Sequence, residues 1–314
     1  MSEEGEGLLS PFFSLYIHYM RTEFEEIYNV KDYKLKSKIY IPTYKHRPNT
    51  IIDEVKDWDN VVIMTDQEDY DENYKDFPIE KTWIVPRECR SLYAKRKLCA
   101  EVSKKNNEWY FMLDDDIWNF ARIYDYKNNC PKNIDLYEAL KIWEKYAMAN
   151  DIFVSSPGLN IVVAYFNEKT NMLSKPHSTL NGCFLIDSSK IDPEWCITDP
   201  NISEDCVFTY NCLMNGVDTR RVQFFSVKFK NVAMSKSLIL NNEKKKLKNI
   251  VDTFLECKGV YCMKMTKNGD LLTLYDGKNY IKEYLLFTEW KQKYPNDYPD
   301  KVLEYYKEKN ARRV

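Results

Sequence analysis

Glycine and histidine are scarce in this chain of 314 residues, which has eight of the first and three of the second. So little glycine leaves little material for a glycine-rich phosphate loop, and none is found, which argues against a nucleotidyltransferase. The nine cysteines form no C-x-x-C pair and no cysteine–histidine spacing suited to zinc. They read as free thiols of a reducing cytoplasm. Long apolar runs are missing as well. The opening MSEEGEGLLSPFFSLYIHYM starts with acids, lacks a basic signal-peptide region, and is too short and interrupted in its apolar part to span a bilayer. Net charge is nearly absent: 46 basic against 48 acidic side chains leave −2, so no global field draws the chain to nucleic acid and any polyanion site must be a local patch. No internal repeat or low-complexity tract occurs.

What is present describes a globular protein, 44% hydrophobic and 30% charged, long enough for one large α/β domain with attachments. Aromatic residues make up 15%, led by 24 tyrosines, flat surfaces able to stack on a base or sugar although most serve as half-buried packing. Residues 1–36 read as an acidic tail and an amphipathic helix around Phe12 to Tyr28, an accessory extension. Between residues 37 and 235, short β-rich runs alternate with helical stretches. The strands expected are Lys38 to Pro42, Val61 to Thr65, Thr82 to Pro86, Trp109 to Leu113, a pair within Ile152 to Phe166, Gly182 to Asp187 and Arg220 to Phe229. This order implies a mostly parallel sheet with flanking helices. A helix over Ser91 to Lys105 would carry Leu92, Leu98, Cys99 and Val102 on its buried face, with Lys95, Arg96 and Lys97 elsewhere. Another fits Asp135 to Ala149. A third runs from Glu204 to Asn215, with Ser203 as its cap and Gly216 as its left-handed stop. Residues 236–314 read as a small α+β appendage with a basic stretch (Lys244, Lys245, Lys246, Lys248), a hairpin turning at Asn268-Gly269 and a tyrosine-rich final helix.

The apolar run WYFML ends abruptly in Asp114-Asp115-Asp116. A strand apolar on both faces belongs in the middle of a parallel sheet, and ligands of such sheets collect at the carboxyl ends of the strands. Two carboxylates at i and i+2 can share one hard cation that keeps other positions for water and phosphate oxygens. A solvated acidic turn is the competing reading. A phosphatase is disfavoured because the cluster follows a late strand and lacks D-x-D-x-T.

Ile41-Pro42-Thr43-Tyr44-Lys45-His46-Arg47-Pro48, Thr65-Asp66, YFMLDDD, Asn181-Gly182-Cys183-Phe184 and Ser203-Glu204-Asp205 follow one another in an order that resembles the GT-A family of glycosyltransferases, over about Lys38 to Lys230. The resemblance implies a Rossmann-like GT-A domain and a nucleotide-diphosphate sugar donor, UDP-sugar by default. It makes Asp114 and Asp116 ligands of Mn2+ or Mg2+, and Asp205 or Glu204 the catalytic base of an inverting enzyme, Asp205 preferred. Thr43, Tyr44, Arg47 and Asp66 become donor-nucleoside contacts, Pro42 and Asp115 join the donor-binding set, and Arg96 and Lys97 face the diphosphate. Acids in a first helical turn are also favoured by the helix dipole alone, and Arg96 and Lys97 suit a solvated face equally well. The family's frequent third metal ligand, a histidine after the late helix, is missing: only His18, His46 and His177 occur. More narrowly, IPTYKHRP, the AKRKLC helix and the SED helix are similar to phage and kinetoplastid-type DNA glycosyltransferases. That resemblance implies a hexosyl- or pentosyltransferase acting on 5-hydroxymethylcytosine or 5-hydroxymethyluracil in DNA, without a membrane. A transferase of the same fold acting on a glycan, lipid-linked sugar or protein is the alternative. A non-catalytic DNA- or partner-binding protein is the alternative of another class.

Overall fold

The computed structural model describes residues 26–43, 50–125, 130–159, 173–196, 202–230, 243–265, 271–275 and 278–311. Tyr44, Arg47 and His46, the region of the amphipathic helix before residue 26, the second half of the strand pair before Phe166, and the Asn268-Gly269 turn lie outside these residues.

The chain is α/β. Its strands are β1 (Lys38–Pro42), β2 (Val61–Thr65), β3 (Thr82–Ile84), β4 (Trp109–Leu113), β5 (Ile117–Asp125), β6 (Cys130–Ile134), β7 (Val154–Leu159), β8 (Ser174–Lys175), β9 (Cys183–Asp187) and β10 (Thr219–Phe229). They join in one mixed sheet ordered β3-β2-β1-β4-β9-β7-β10-β5-β6, with β8 paired to β10. Pairings β3–β2, β2–β1, β1–β4 and β7–β10 are parallel. β9 enters antiparallel between β4 and β7. The antiparallel end formed by β5 and β6 against β10 is the part that the sequence pattern did not suggest.

The main helices of this domain are α1 (Leu92–Asn106), α2 (Leu136–Ala149) and α3 (Glu204–Met214). Ser91 caps α1 by accepting from the Ala94 N–H, and Asp135 caps α2 through the Glu138 N–H. Alternation along β4 explains why it reads as a continuous apolar run. Phe111 and Leu113 enter the core beneath α2 with Trp143 and Leu140, while Tyr110 and Met112 enter the opposite core with Cys99, Phe184 and Phe208 beneath α1 and α3. The result is three layers, helix on sheet on helix.

Two expectations are corrected by packing. The buried face of α1 holds Lys95, Arg96, Cys99, Ala100 and Ser103, so two cations sit where the pattern placed apolar side chains, because each finds oxygen acceptors across the sheet edge. Ser203 occupies the N-cap position of α3, but its side chain makes no capping hydrogen bond.

After β10, α4 (Glu243–Glu256), the antiparallel hairpin β11 (Tyr261–Met265) and β12 (Leu271–Tyr275), α5 (Ile281–Lys293) and α6 (Tyr298–Ala311) enclose a core of their own around Phe254, Phe287 and Tyr298. This appendage meets the main domain through Cys257 and Tyr261, which pack on Ile202, Cys206, Val207 and Tyr210 of the α3 region. The Tyr261 hydroxyl donates to the Cys206 carbonyl at 3.1 Å. Among the described residues, eight cysteines are free thiols, and no helix is long and apolar enough to cross a membrane.

Candidate active site

β1 and β4 lie side by side and parallel, so their carboxyl ends open on the same edge. A cleft of about 210 Å³ lies there, lined by Pro42, Thr43, Arg90, Leu92, Lys95 and all three of Asp114, Asp115 and Asp116. The structure thus brings the end of the first strand and the triple aspartate together. Thr43 is buried, its N–H bonded to the Met64 carbonyl at 2.9 Å and its own carbonyl accepting from Lys95 Nζ at 2.6 Å. Burial lowers the Lys95 pKa, against the opposing pull of Asp66, Asp69 and Asp115. Asp66 turns its carboxylate to the Asp69 N–H at 3.0 Å, capping a short helical turn, and its other oxygen lies 3.7 Å from Arg90 Nε.

The centre of the site is Arg96. Its Nη1 donates to Asp205 Oδ1 at 2.5 Å and its Nη2 to Asp114 Oδ1 at 3.1 Å, and Glu204 Oε1 lies 3.7 Å from Nη1. The guanidinium also lies 4.8 Å from the Phe184 ring centroid, over its face. One side chain therefore forks between the acid leaving β4 and the acids opening α3. Burial works against its charge, but Asp205, Asp114 and Glu204 outweigh burial and hold its pKa above the usual value. The converse holds for the acids. Burial pushes the Asp114 carboxyl well up, Arg96 opposes, and Asp205, Asp116 and Glu204 add to the rise. Burial raises Glu204 too, again against Arg96. Three carboxylates around one guanidinium, with Asp116 acting on Asp114, leave an excess of negative charge that further cationic charge would relieve.

Gly182 completes the arrangement. Its N–H donates to Asp205 Oδ2 at 3.0 Å and its carbonyl accepts the Asp114 N–H at 2.9 Å. Its φ is +28°, and a Cβ on it would overlap Asp114 Oδ2. Only glycine fits a backbone this close to a carboxylate.

Lys97, one position on from Arg96, points elsewhere: its Nζ pairs with Glu194 at 2.6 Å and Glu101 at 3.5 Å. Arg90, Lys95 and Gly182 were given no role in the site from sequence, although each adjoins the carboxylates or the cleft they line. His177 places Nδ1 3.1 Å from Asp218 Oδ1.

The donor set is all oxygen. Asp114 and Asp116 could hold a hard cation at the cleft, with Asp115 beside them. Among the described residues no group of three or more His, Cys, Asp or Glu side chains forms a metal cage. A pair of carboxylates suits an ion such as magnesium or manganese that keeps waters and phosphate oxygens as its remaining ligands. No protein-family model matches the chain, and no curated protein sequence matches it significantly.

Proposed function

We propose that this protein is a metal-dependent glycosyltransferase of GT-A type that moves a sugar from a nucleotide-diphosphate donor, UDP-sugar by default, to the hydroxymethyl group of a modified pyrimidine in DNA. One observation carries the reading: Arg96 joins Asp114, at the edge of a cleft on the carboxyl end of a central parallel strand, to Asp205 at the start of a helix beside it. An electrophile held in the cleft and a proton acceptor next to it are what a displacement at an anomeric carbon requires.

In that displacement Asp205 takes the proton of the acceptor hydroxyl while its oxygen bonds to the anomeric carbon. The bond from that carbon to the diphosphate oxygen breaks, and the electron pair leaves on the diphosphate. Asp205 has one bond to each carboxylate oxygen, from Arg96 and from the Gly182 N–H, and each oxygen keeps a second lone pair for the incoming hydroxyl. These two donors fix the carboxylate's direction. Glu204, further from Arg96, is the second choice as base. A divalent ion on Asp114 and Asp116 would neutralise charge on the departing diphosphate. Lys95 and Arg90 bring cationic charge to the same cleft.

The test incubates the protein with manganese, a panel of nucleotide sugars, and DNA containing hydroxymethylated or ordinary pyrimidines, and reads nucleoside masses after digestion. A hexose or pentose increment on the modified base alone, abolished by Asp114→Ala, is the expected result. Donor hydrolysis without transfer to DNA would redirect the acceptor to a glycan, lipid-linked sugar or protein. No turnover and no donor-induced rise in melting temperature would leave the carboxylates as a structural staple in a binding protein.

A further inference from the structure

Arg220 and Arg221 are neighbours in β10 with opposite surroundings. Arg220 is compensated, its Nε 2.8 Å from Asp218 Oδ2. Arg221 has no carboxylate partner among the described residues, and its one hydrogen bond runs from Nη2 to the Thr179 carbonyl at 3.1 Å. Its Nε is buried without an acceptor. Burial lowers the pKa of this guanidinium.

Strand register explains what surrounds it. Arg221 faces Lys175 across the antiparallel β8 pairing and Ser156 across the parallel β7 pairing. Directly paired residues of adjacent strands share a face, so Lys175, Arg221 and Ser156 form a row across three strands. Two like charges set opposite each other destabilise a sheet unless something of the other sign lies over them. Lys175 is exposed and has no ion-pair partner among the described residues, while the Ser156 hydroxyl is buried and lacks a hydrogen-bond partner. Lys175 and the accessible part of Arg221 therefore present two cations without an acidic partner on one face, a pattern suited to a phosphate-type anion.

We infer that Lys175 and Arg221 bind a backbone phosphodiester of the acceptor polynucleotide. The assignment rests on the DNA acceptor proposed above. The acceptor side is within reach. The segment from Thr179, bonded to Arg221, to Gly182, bonded to Asp205, spans at most about 10 Å. The row therefore positions a strand whose target nucleotide reaches Asp205.

The test measures binding of a fluorescent oligonucleotide by anisotropy over a range of salt, for wild type, Lys175→Ala and Arg221→Gln, with melting temperatures as the control for folding. The expected result is weaker binding by about fivefold or more in each variant, with the slope of log K against log salt reduced by about 0.7 to 0.9. Wild-type affinity and slope in both variants would overturn the inference, as would failure of the wild type to bind any oligonucleotide. An Arg221→Gln chain that does not fold leaves the exposed Lys175→Ala variant to decide. Inorganic phosphate is the second probe. Stabilisation of the wild type by phosphate, lost in Lys175→Ala, without oligonucleotide binding would overturn the polynucleotide assignment in favour of a free phosphate ligand. Nucleotide-sugar melting shifts in manganese, read in parallel, report separately on the proposed transferase reaction.

Discussion

Arg96 is buried among Asp114, Glu204 and Asp205, three half-buried acids close enough to repel one another without it. Replacing it with alanine leaves uncompensated carboxylates, a change that costs about 3–5 kcal/mol when one member of a buried ion pair is removed. Arg96→Lys is expected to recover only part of this, because a single ammonium cannot fork to Asp205 on one nitrogen and Asp114 on another. Chemical denaturation of the two variants checks the order. Lysine matching the wild type would show that charge alone, without the fork, suffices. Lys95 differs in kind: it donates to the Thr43 backbone carbonyl and so holds the end of β1 to α1.

At the scale of elements, several ends are tied by single side chains. Glu144 of α2 is buried, and its carboxylate accepts from the Lys36 N–H at 3.0 Å, the Ser37 N–H at 2.7 Å and the Tyr33 hydroxyl at 2.8 Å, clamping the entry to β1. Glu144→Gln turns an amide donor toward the Lys36 N–H in either orientation and is expected to destabilise by about 1–3 kcal/mol, read from the urea midpoint. In the appendage, Asp252 of α4 accepts from Lys291 of α5 at 2.8 Å, from the Tyr298 hydroxyl of α6 at 2.5 Å, and from Lys248. Burial alone would raise the Asp252 pKa, but these three donors lower it. A lowered folded-state pKa gives stability that is fully present above the unfolded value of about 3.9 and is lost as pH falls through the folded value. Asp252→Asn should therefore flatten the acid limb of the stability–pH curve, and an unaltered limb would show that the trio contributes no linkage.

The same elements show what was legible beforehand. Trp109–Leu113 and Val61–Thr65 were readable residue for residue because strands buried on both faces are apolar throughout and end sharply at polar residues. The D-x-D at the cleft followed from that strand end. The buried face of α1 was not readable, because Lys95 and Arg96 carry the composition of a solvated face, and only the distant partners Thr43, Asp114 and Asp205 make their burial tolerable. Lys97 is turned away by Glu194, a residue almost a hundred positions later that no local pattern connects to it. Gly182 offered one signal, a glycine opening an otherwise apolar strand in a glycine-poor chain.

Across the whole molecule, α3 is shared. Its first turn carries Glu204 and Asp205 toward Arg96, while Cys206, Val207 and Tyr210 pack against Cys257 and Tyr261 of the appendage. The helix that holds the proposed base is thus seated by both bodies. Deleting residues 243–314 is expected to expose that apolar seat, lower the melting temperature and abolish donor turnover. A truncated chain with unchanged turnover and melting temperature would show that α3 needs no such support. The length of the appendage core, with Phe254, Phe287, Tyr298 and Tyr306 in contact, makes it a folded unit rather than a loose tail.

Gly182 has one more consequence. Glycine amide protons resonate in a sparsely occupied region of a nitrogen–proton correlation spectrum, and this chain has only eight glycines. The Gly182 N–H is donated directly to Asp205 Oδ2, and its carbonyl takes the Asp114 N–H. Its single signal is therefore a built-in reporter of the site: a shift on adding manganese, nucleotide sugar or oligonucleotide registers at the acid that would receive the proton, with no label placed in the cleft.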